Sequence, residues 1–97
     1  VGGLPEPVTS PADLVALADI EAARVNQRAH LRRTPLPGAQ QLGERCHVRL
    51  RFKAEMLQKT GSFKPRGMLN CLQHLDAGEK SRGVVTMSAG NAAQALA

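Results

Sequence analysis

The fold is decided by residues 47–91, which read HVRLRFKAE (47–55), MLQKTGS (56–62), FKPRGMLNCLQHL (63–75), DAGEKSR (76–82), GVVTM (83–87) and SAGN (88–91). In the first stretch Val48, Leu50, Phe52 and Ala54 alternate with Arg49, Arg51, Lys53 and Glu55. A period of two puts the apolar set on one face of an extended chain, so His47 to Glu55 is predicted as a half-exposed strand. Thr60-Gly61-Ser62 reads as a turn ending in a serine able to cap a helix that runs through about Leu75. Pro65 fits only because it falls in the first turn, where a missing N–H costs no intrahelical bond. Asp76-Ala77-Gly78 reads as the end of that helix. Gly83 to Met87 is a short apolar run of the kind that forms buried parallel strands. Ser88-Ala89-Gly90-Asn91 then turns the chain into another helix from Ala92. Strand, helix, strand and helix start make a βαβ unit with a right-handed crossover. The predicted class is α/β with a parallel pair.

Working outward from this unit, Arg33-Thr34-Pro35-Leu36-Pro37-Gly38 breaks any helix before it, since two prolines cannot sit in a helix interior. A helix is expected from Ser10-Pro11-Ala12-Asp13, which supply a cap, a first-turn proline and a carboxylate near the positive dipole end. It should run to about Ala29 with Leu14, Leu17, Ala18, Glu21 and Val25 along one side. Residues 1–9, rich in Gly and Pro, read as a disordered lead-in. Residues 10–97 are therefore one unit. A chain of 97 residues has room for a single core.

Composition narrows the function. No run approaches the roughly 18–20 apolar residues of a membrane span. Cys46 and Cys71 cannot make a disulfide framework and no Cys/His spacing suits a metal, so reduced, cytoplasmic-type cysteine usage is expected. The net charge of +5 raises nucleic acid as a partner, but the cations are spread along the chain and neither Tyr nor Trp offers a stacking platform. His30, His47 and His74 lie on polar faces with no Ser or carboxylate at useful spacing, so no histidine-based triad can be assembled.

In open α/β sheets ligands bind beyond the carboxyl ends of strands, where helix N-termini face them. Two places here qualify: Thr60-Gly61-Ser62-Phe63-Lys64 and Ser88-Ala89-Gly90-Asn91. On the predicted helix Lys64 heads a stripe with Met68, Leu72 and Leu75, while Arg66, Asn70 and Gln73 make the polar side. There the amine would lose hydration beside the positive end of the helix dipole, the setting that a Schiff-base amine or general base uses. A lysine at the end of an apolar stripe can equally snorkel into water. Gly61 can be a turn residue only, Gly67 an aid to helix packing, and Asn91 a turn or cap side chain. Periodicity leaves each pair of readings open.

The run FKAEMLQKTGSFKPRG (52–67) resembles the pyridoxal-phosphate attachment motif of the serine/threonine dehydratase family, within the tryptophan-synthase-β-like (fold type II) enzymes. Arg33-Thr34-Pro35-Leu36 resembles the family's RTPL segment, and Gly83 to Gln94 resembles its strand and SAGN loop. The three motifs stand in family order and cover most of residues 30–97. The resemblance implies that Lys64 forms the Schiff base with pyridoxal 5'-phosphate and then acts as base at the substrate α-carbon. It implies that Phe63 packs by the cofactor and that Asn91 hydrogen-bonds its phenolic oxygen. Ser88, Ala89 and Asn91 would line the pocket for the substrate carboxylate. The implied reaction is β-elimination from L-threonine or L-serine, giving 2-oxobutyrate or pyruvate with ammonia. The fold it implies is the N-terminal part of a three-layer αβα architecture, with the glycine-rich phosphate loop and the group facing the pyridine nitrogen beyond residue 97. A homo-oligomer acting on a small amino acid, with no nucleic-acid or membrane partner, is expected.

Three positions discriminate within the superfamily. Sulfhydrylases and threonine synthases usually follow the lysine with Asp, where this chain has Pro65. Eukaryotic-type serine racemases carry a second catalytic serine where this chain has Ala89. Without that opposite-face acid a two-base racemisation is disfavoured relative to elimination. Ala92 replaces the His common after Asn in this loop, a departure that bears on substrate preference.

Overall fold

The computed structural model describes residues 14–97. The lead-in 1–9 and the proposed cap at Ser10 to Asp13 lie outside them. Five helices follow in order: α1 (Leu17–Gln27), α2 (Gln40–Cys46), α3 (Lys64–Gln73), α4 (Ala77–Arg82) and α5 (Asn91–Leu96), with two 3-10 turns, Glu55–Leu57 and Lys59–Gly61, before α3.

No strand of the expected βαβ unit forms among the described residues. The segment 47–55 is shortened at both ends and paired on one side. Its first two residues cap α2 instead: His47 adopts the left-handed region at φ 55°, Val48 N donates to Gly43 O (3.0 Å), and His47 N donates to Glu44 O (3.3 Å). That pair of bonds is a Schellman closure, which satisfies the last carbonyls of the helix. At the other end Glu55 enters a 3-10 turn. Between them the chain runs antiparallel to 35–39, with a single bridge at Gly38–Arg51. Phe52 N and Ala54 N donate to Pro37 O and Pro35 O, and Ala39 N donates to Leu50 O. The pairing is one-way at Pro35 and Pro37 because proline has no N–H to return. The prolines thus prevent a complete ladder.

The second expected strand, Gly83 to Met87, has no hydrogen-bonded neighbour strand among the described residues, and Val85 and Met87 are 96% and 99% exposed. A parallel strand is stable only with strands beside it and cover on both faces. Neither is present here. The crossover is also two helices rather than one. Asp76 opens α4 rather than closing α3: its carboxylate accepts from Glu79 N (2.7 Å) while Glu79 returns a bond from Asp76 N (2.8 Å). This reciprocal box satisfies two donors at the helix start. The α3 helix itself begins and ends close to expectation, with Pro65 in its first turn.

The face on which α1 docks is not the apolar stripe expected from sequence. Leu14, Leu17 and Val25 are exposed, and the residue that buries is Gln27. Gln27 Nε2 donates to Arg66 O (2.7 Å), and Gln73 Nε2 donates to Asn26 O (3.1 Å), so α1 is held on α3 by side-chain amides. The buried set is correspondingly polar: Gln27, Thr34, Gln58 and Ser62, with Ala54, Pro65 and Gly43.

Gly43 is where α2 meets its own cap. A Cβ there would stand 2.6 Å from Val48 O and 3.3 Å from Leu50 N, both backbone atoms that cannot swing aside. Gly43→Ala is therefore expected to destabilise the protein by about 1–3 kcal/mol through overpacking. Urea unfolding checks this, and an unchanged midpoint would mean that the α2 closure is looser than described.

Candidate functional site

The site is built from three stretches that the sequence keeps far apart, 32–34, 55–66 and 88–91. The first two are tied by an amide acting as a stand-in for a paired strand. Gln58 is 3% exposed. Its Nε2 donates to Arg32 O (2.8 Å), and its Oε1 accepts from Arg32 N (2.9 Å) and Lys59 N (2.9 Å). One residue thus completes both backbone groups of Arg32, which would otherwise be left without partners. Next to it, Lys53 Nζ donates to Thr34 O (2.7 Å) and Thr34 Oγ1 donates to Glu55 Oε1 (2.5 Å).

Glu55 also receives both prongs of the Arg66 fork: Nε to Oε2 at 2.9 Å and Nη2 to Oε1 at 2.7 Å. This is the bidentate geometry that suits guanidinium and carboxylate. The Arg66 hydrogen bonds hold the Glu55 carboxyl down at about 2 against an ordinary 4.5, with the Thr34 hydroxyl assisting and partial burial working the other way. The same bonds raise the Arg66 guanidinium further. Arg66 was expected on the polar, solvent side of α3. It lies instead in a part-buried pair, and Asn70 and Gln73 from the same side are half-buried.

From Gln58 the chain turns sharply. Gly61 N donates to Gln58 O (2.9 Å), and Thr60 and Gly61 both take positive φ, 63° and 74°. Glycine does this freely, whereas a β-branched threonine does so at a cost. The turn delivers Ser62, which is buried, and its Oγ accepts from Lys64 N (3.3 Å). Ser62 therefore supports the start of α3 as the sequence suggests.

Lys64 is the first residue of α3 and is exposed. Its Nζ lies 5.3 Å from the centroid of the Phe63 ring, within cation–π range. No carboxylate of the described residues pairs with it. The dry setting expected for this amine is thus not present: Lys64 heads the half-buried stripe of Met68, Leu72 and Leu75 but is itself exposed, while the neighbouring Pro65 is the residue of this turn that is buried. The third stretch approaches through α5, which packs against α3 and against the Lys59–Gly61 turn. Asn91 is the first residue of α5, Gly90 N donates to Ser88 Oγ (3.2 Å), and Ser88, Ala89 and Asn91 are all exposed. The two loops singled out in the sequence are therefore joined by packing of the helices that follow them.

Sequence reasoning missed Gln58, Thr34 and the Glu55–Arg66 pair. Glu55 reads as one more charge on an alternating segment, and nothing in the spacing of 55 and 66 announces a contact. The histidines fall as expected on the surface, His74 with its Nδ1 2.7 Å from Asn70 O.

A family model described as "Pyridoxal-phosphate dependent enzyme" matches residues 28–97. The serine racemase of Dictyostelium discoideum is 44% identical over 86 residues, which is 89% of this chain and 26% of the relative. The catabolic L-threonine dehydratase TdcB of Escherichia coli K12 is 42% identical over 82 residues, 84% of this chain and 25% of the relative. Among solved structures, that of maize serine racemase superposes with a TM-score of 0.71 at 36% identity, covering 82% of this chain and 25% of that one. The chain thus spans about a quarter of the length of the proteins it matches. The structural likeness supports the α/β class expected from sequence, although its strands are not formed among the described residues. An accessible primary amine beside an exposed aromatic face, with an exposed carboxamide on the packed neighbouring helix, fits a flat aldehyde that condenses with an amine.

The depressed Glu55 carboxyl fixes the sign of a pH effect. A group whose folded value lies below its unfolded one adds stability that is complete above the unfolded value and is lost as pH falls through the folded one. Stability should therefore decline from about 4.5 toward about 2 as Glu55 protonates. Urea midpoints measured across that window, with Glu55→Gln as reference, check this. The variant should flatten the decline, and identical slopes would detach it from Glu55.

Proposed function

This chain belongs to the pyridoxal-phosphate dependent enzyme family, and on that premise we propose that the intact protein carrying it converts L-threonine or L-serine to 2-oxobutyrate or pyruvate with release of ammonia. The observation that carries the reading is the packing of α5 on α3, which brings the Ser88–Asn91 turn to the same region as Lys64 at the head of α3. The bound cofactor supplies an electron sink for the charge that develops at the substrate α-carbon. Lys64 Nζ holds that cofactor and then takes the α-proton. Phe63 would pack by the cofactor. The Asn91 carboxamide would hydrogen-bond its phenolic oxygen, and Ser88, Ala89 and Asn91 would line the pocket for the substrate carboxylate. We take the open face formed by these exposed residues to be covered in the intact protein by chain outside residues 1–97, the relatives being several times longer.

Ala89 supports elimination over inversion. Its methyl group cannot deliver a proton to the face of the α-carbon opposite Lys64, and inversion needs a donor there. Serine racemisation is the second reading, favoured by the 44% identity to the Dictyostelium enzyme and by the maize structure. The identities to racemase and dehydratase differ too little to choose between them. The side chain at 89 is the discriminating feature.

Two measurements on the intact protein test these assignments. Lys64→Ala should lower 2-oxo acid release from threonine and serine by about 10²–10⁴-fold or more, and undiminished release would remove Lys64 from the chemistry. Ala89→Ser should raise the yield of D-serine relative to pyruvate, read by chiral chromatography. A D-serine yield already dominant with Ala89 in place would reverse the order of the two readings.

A further inference from the structure

The first turn of α3 has little to hold it from within. It contains no acidic residue, and Phe63 just before it makes no side-chain capping bond. Local support comes from the 3.3 Å bond from Lys64 N to Ser62 Oγ and the 3.1 Å bond from Arg66 N to Phe63 O. Unsupported helix ends fray, and a side chain on a fraying turn samples a wide volume. The support comes from elsewhere in the chain and converges on Arg66, two residues beyond Lys64. Arg66 is held at three atoms: Nε and Nη2 by Glu55, and its carbonyl oxygen by Gln27 Nε2. Glu55 is itself fixed by Thr34 Oγ1 and by its place at the start of a 3-10 turn, where its N donates to Lys53 O (2.8 Å).

We propose that Glu55 is a positioning residue for Lys64, acting through Arg66. The inference rests on the reading of Lys64 given above and concerns how its amine is aimed. The pair adds to stability as well, a contribution discounted by solvent because the Arg66 side chain is 36% exposed, against 13% for Glu55. A bidentate pair fixes direction as well as distance, and direction is what a reactive amine needs at the end of a helix. Loss of the pair should therefore change the chemistry of Lys64 even in a variant that stays folded.

The experiment uses the intact protein with added pyridoxal phosphate, borohydride trapping and peptide mapping. The quantity read is the ratio of trapped label on Lys64 to that on Lys80, a surface lysine of α4 that serves as a reference within the same sample. Far-UV circular dichroism establishes that each variant is folded. Glu55→Gln and Arg66→Gln should each lower the ratio by about tenfold or more. The double variant should be no worse than either single one, as for two residues acting as a unit. If Glu55→Gln does not fold, Thr34→Val takes its place, removing one bond to the carboxylate, and a smaller fall in the same direction is expected. A ratio unchanged in a folded Glu55→Gln or Thr34→Val protein overturns the positioning role and leaves the reading of Lys64 intact. A protein with Glu55 and Arg66 in place that shows no preference for Lys64 over Lys80 overturns that reading and this inference together.

Discussion

A single carboxylate organises the candidate site. Glu55 draws together a hydroxyl from Thr34 and a guanidinium from Arg66, and so joins the 32–34 segment to α3 across stretches of chain that share no regular secondary structure. Such a pair is favourable because its geometry is bidentate and a third donor takes part, so that little of the partly buried charge is left unsatisfied. The neighbouring Gln58 does a parallel task with a neutral group. Its carboxamide presents a donor and an acceptor at the spacing of a peptide and closes on Arg32 as a neighbouring strand would.

This polar scaffold explains an otherwise odd burial pattern. Among the described residues the buried apolar side chains are those of Ala54 and Pro65, while large apolar residues of α1 and of 83–87 stand in solvent. The structure is therefore held by directional bonds more than by area removed from water. Removing one partner of a buried polar pair costs more than the pair contributes on balance, because the survivor keeps its desolvation penalty. Order in this region should accordingly depend on a few named side chains.

What the sequence made legible follows from the range of the interactions concerned. The start of α3, with Ser62 before it and Pro65 in its first turn, and the start of α5 after the small-residue turn are local matters, and both stand where expected. Asp76 is equally local: Asp76-Ala77-Gly78 reads as a helix end, yet the Glu79 three residues on marks the start of a new helix. The alternation of 47–55 is real in composition, yet its outcome depended on what lay opposite, and Pro35 and Pro37 gave a neighbour that accepts without donating. Which side of α1 would dock was not readable, since a stripe of leucine and valine lost to one glutamine that reaches the Arg66 carbonyl. The motif residues 63, 64 and 88–91 could be picked out by resemblance. The Glu55–Arg66 link could not, because no periodicity relates positions that meet only after a turn through left-handed backbone at Thr60 and Gly61.

The bare run from Gly83 to Met87 carries a practical consequence. It holds no charge, includes two adjacent β-branched valines, and leaves Val85 and Met87 open to solvent. Uncharged, β-rich segments of this length are templates for intermolecular strand addition. Lys80 and Arg82 flank it upstream as gatekeepers, but downstream the next residues are small and neutral. Handled apart from whatever normally shields it, this stretch is the place from which aggregation of the polypeptide would begin.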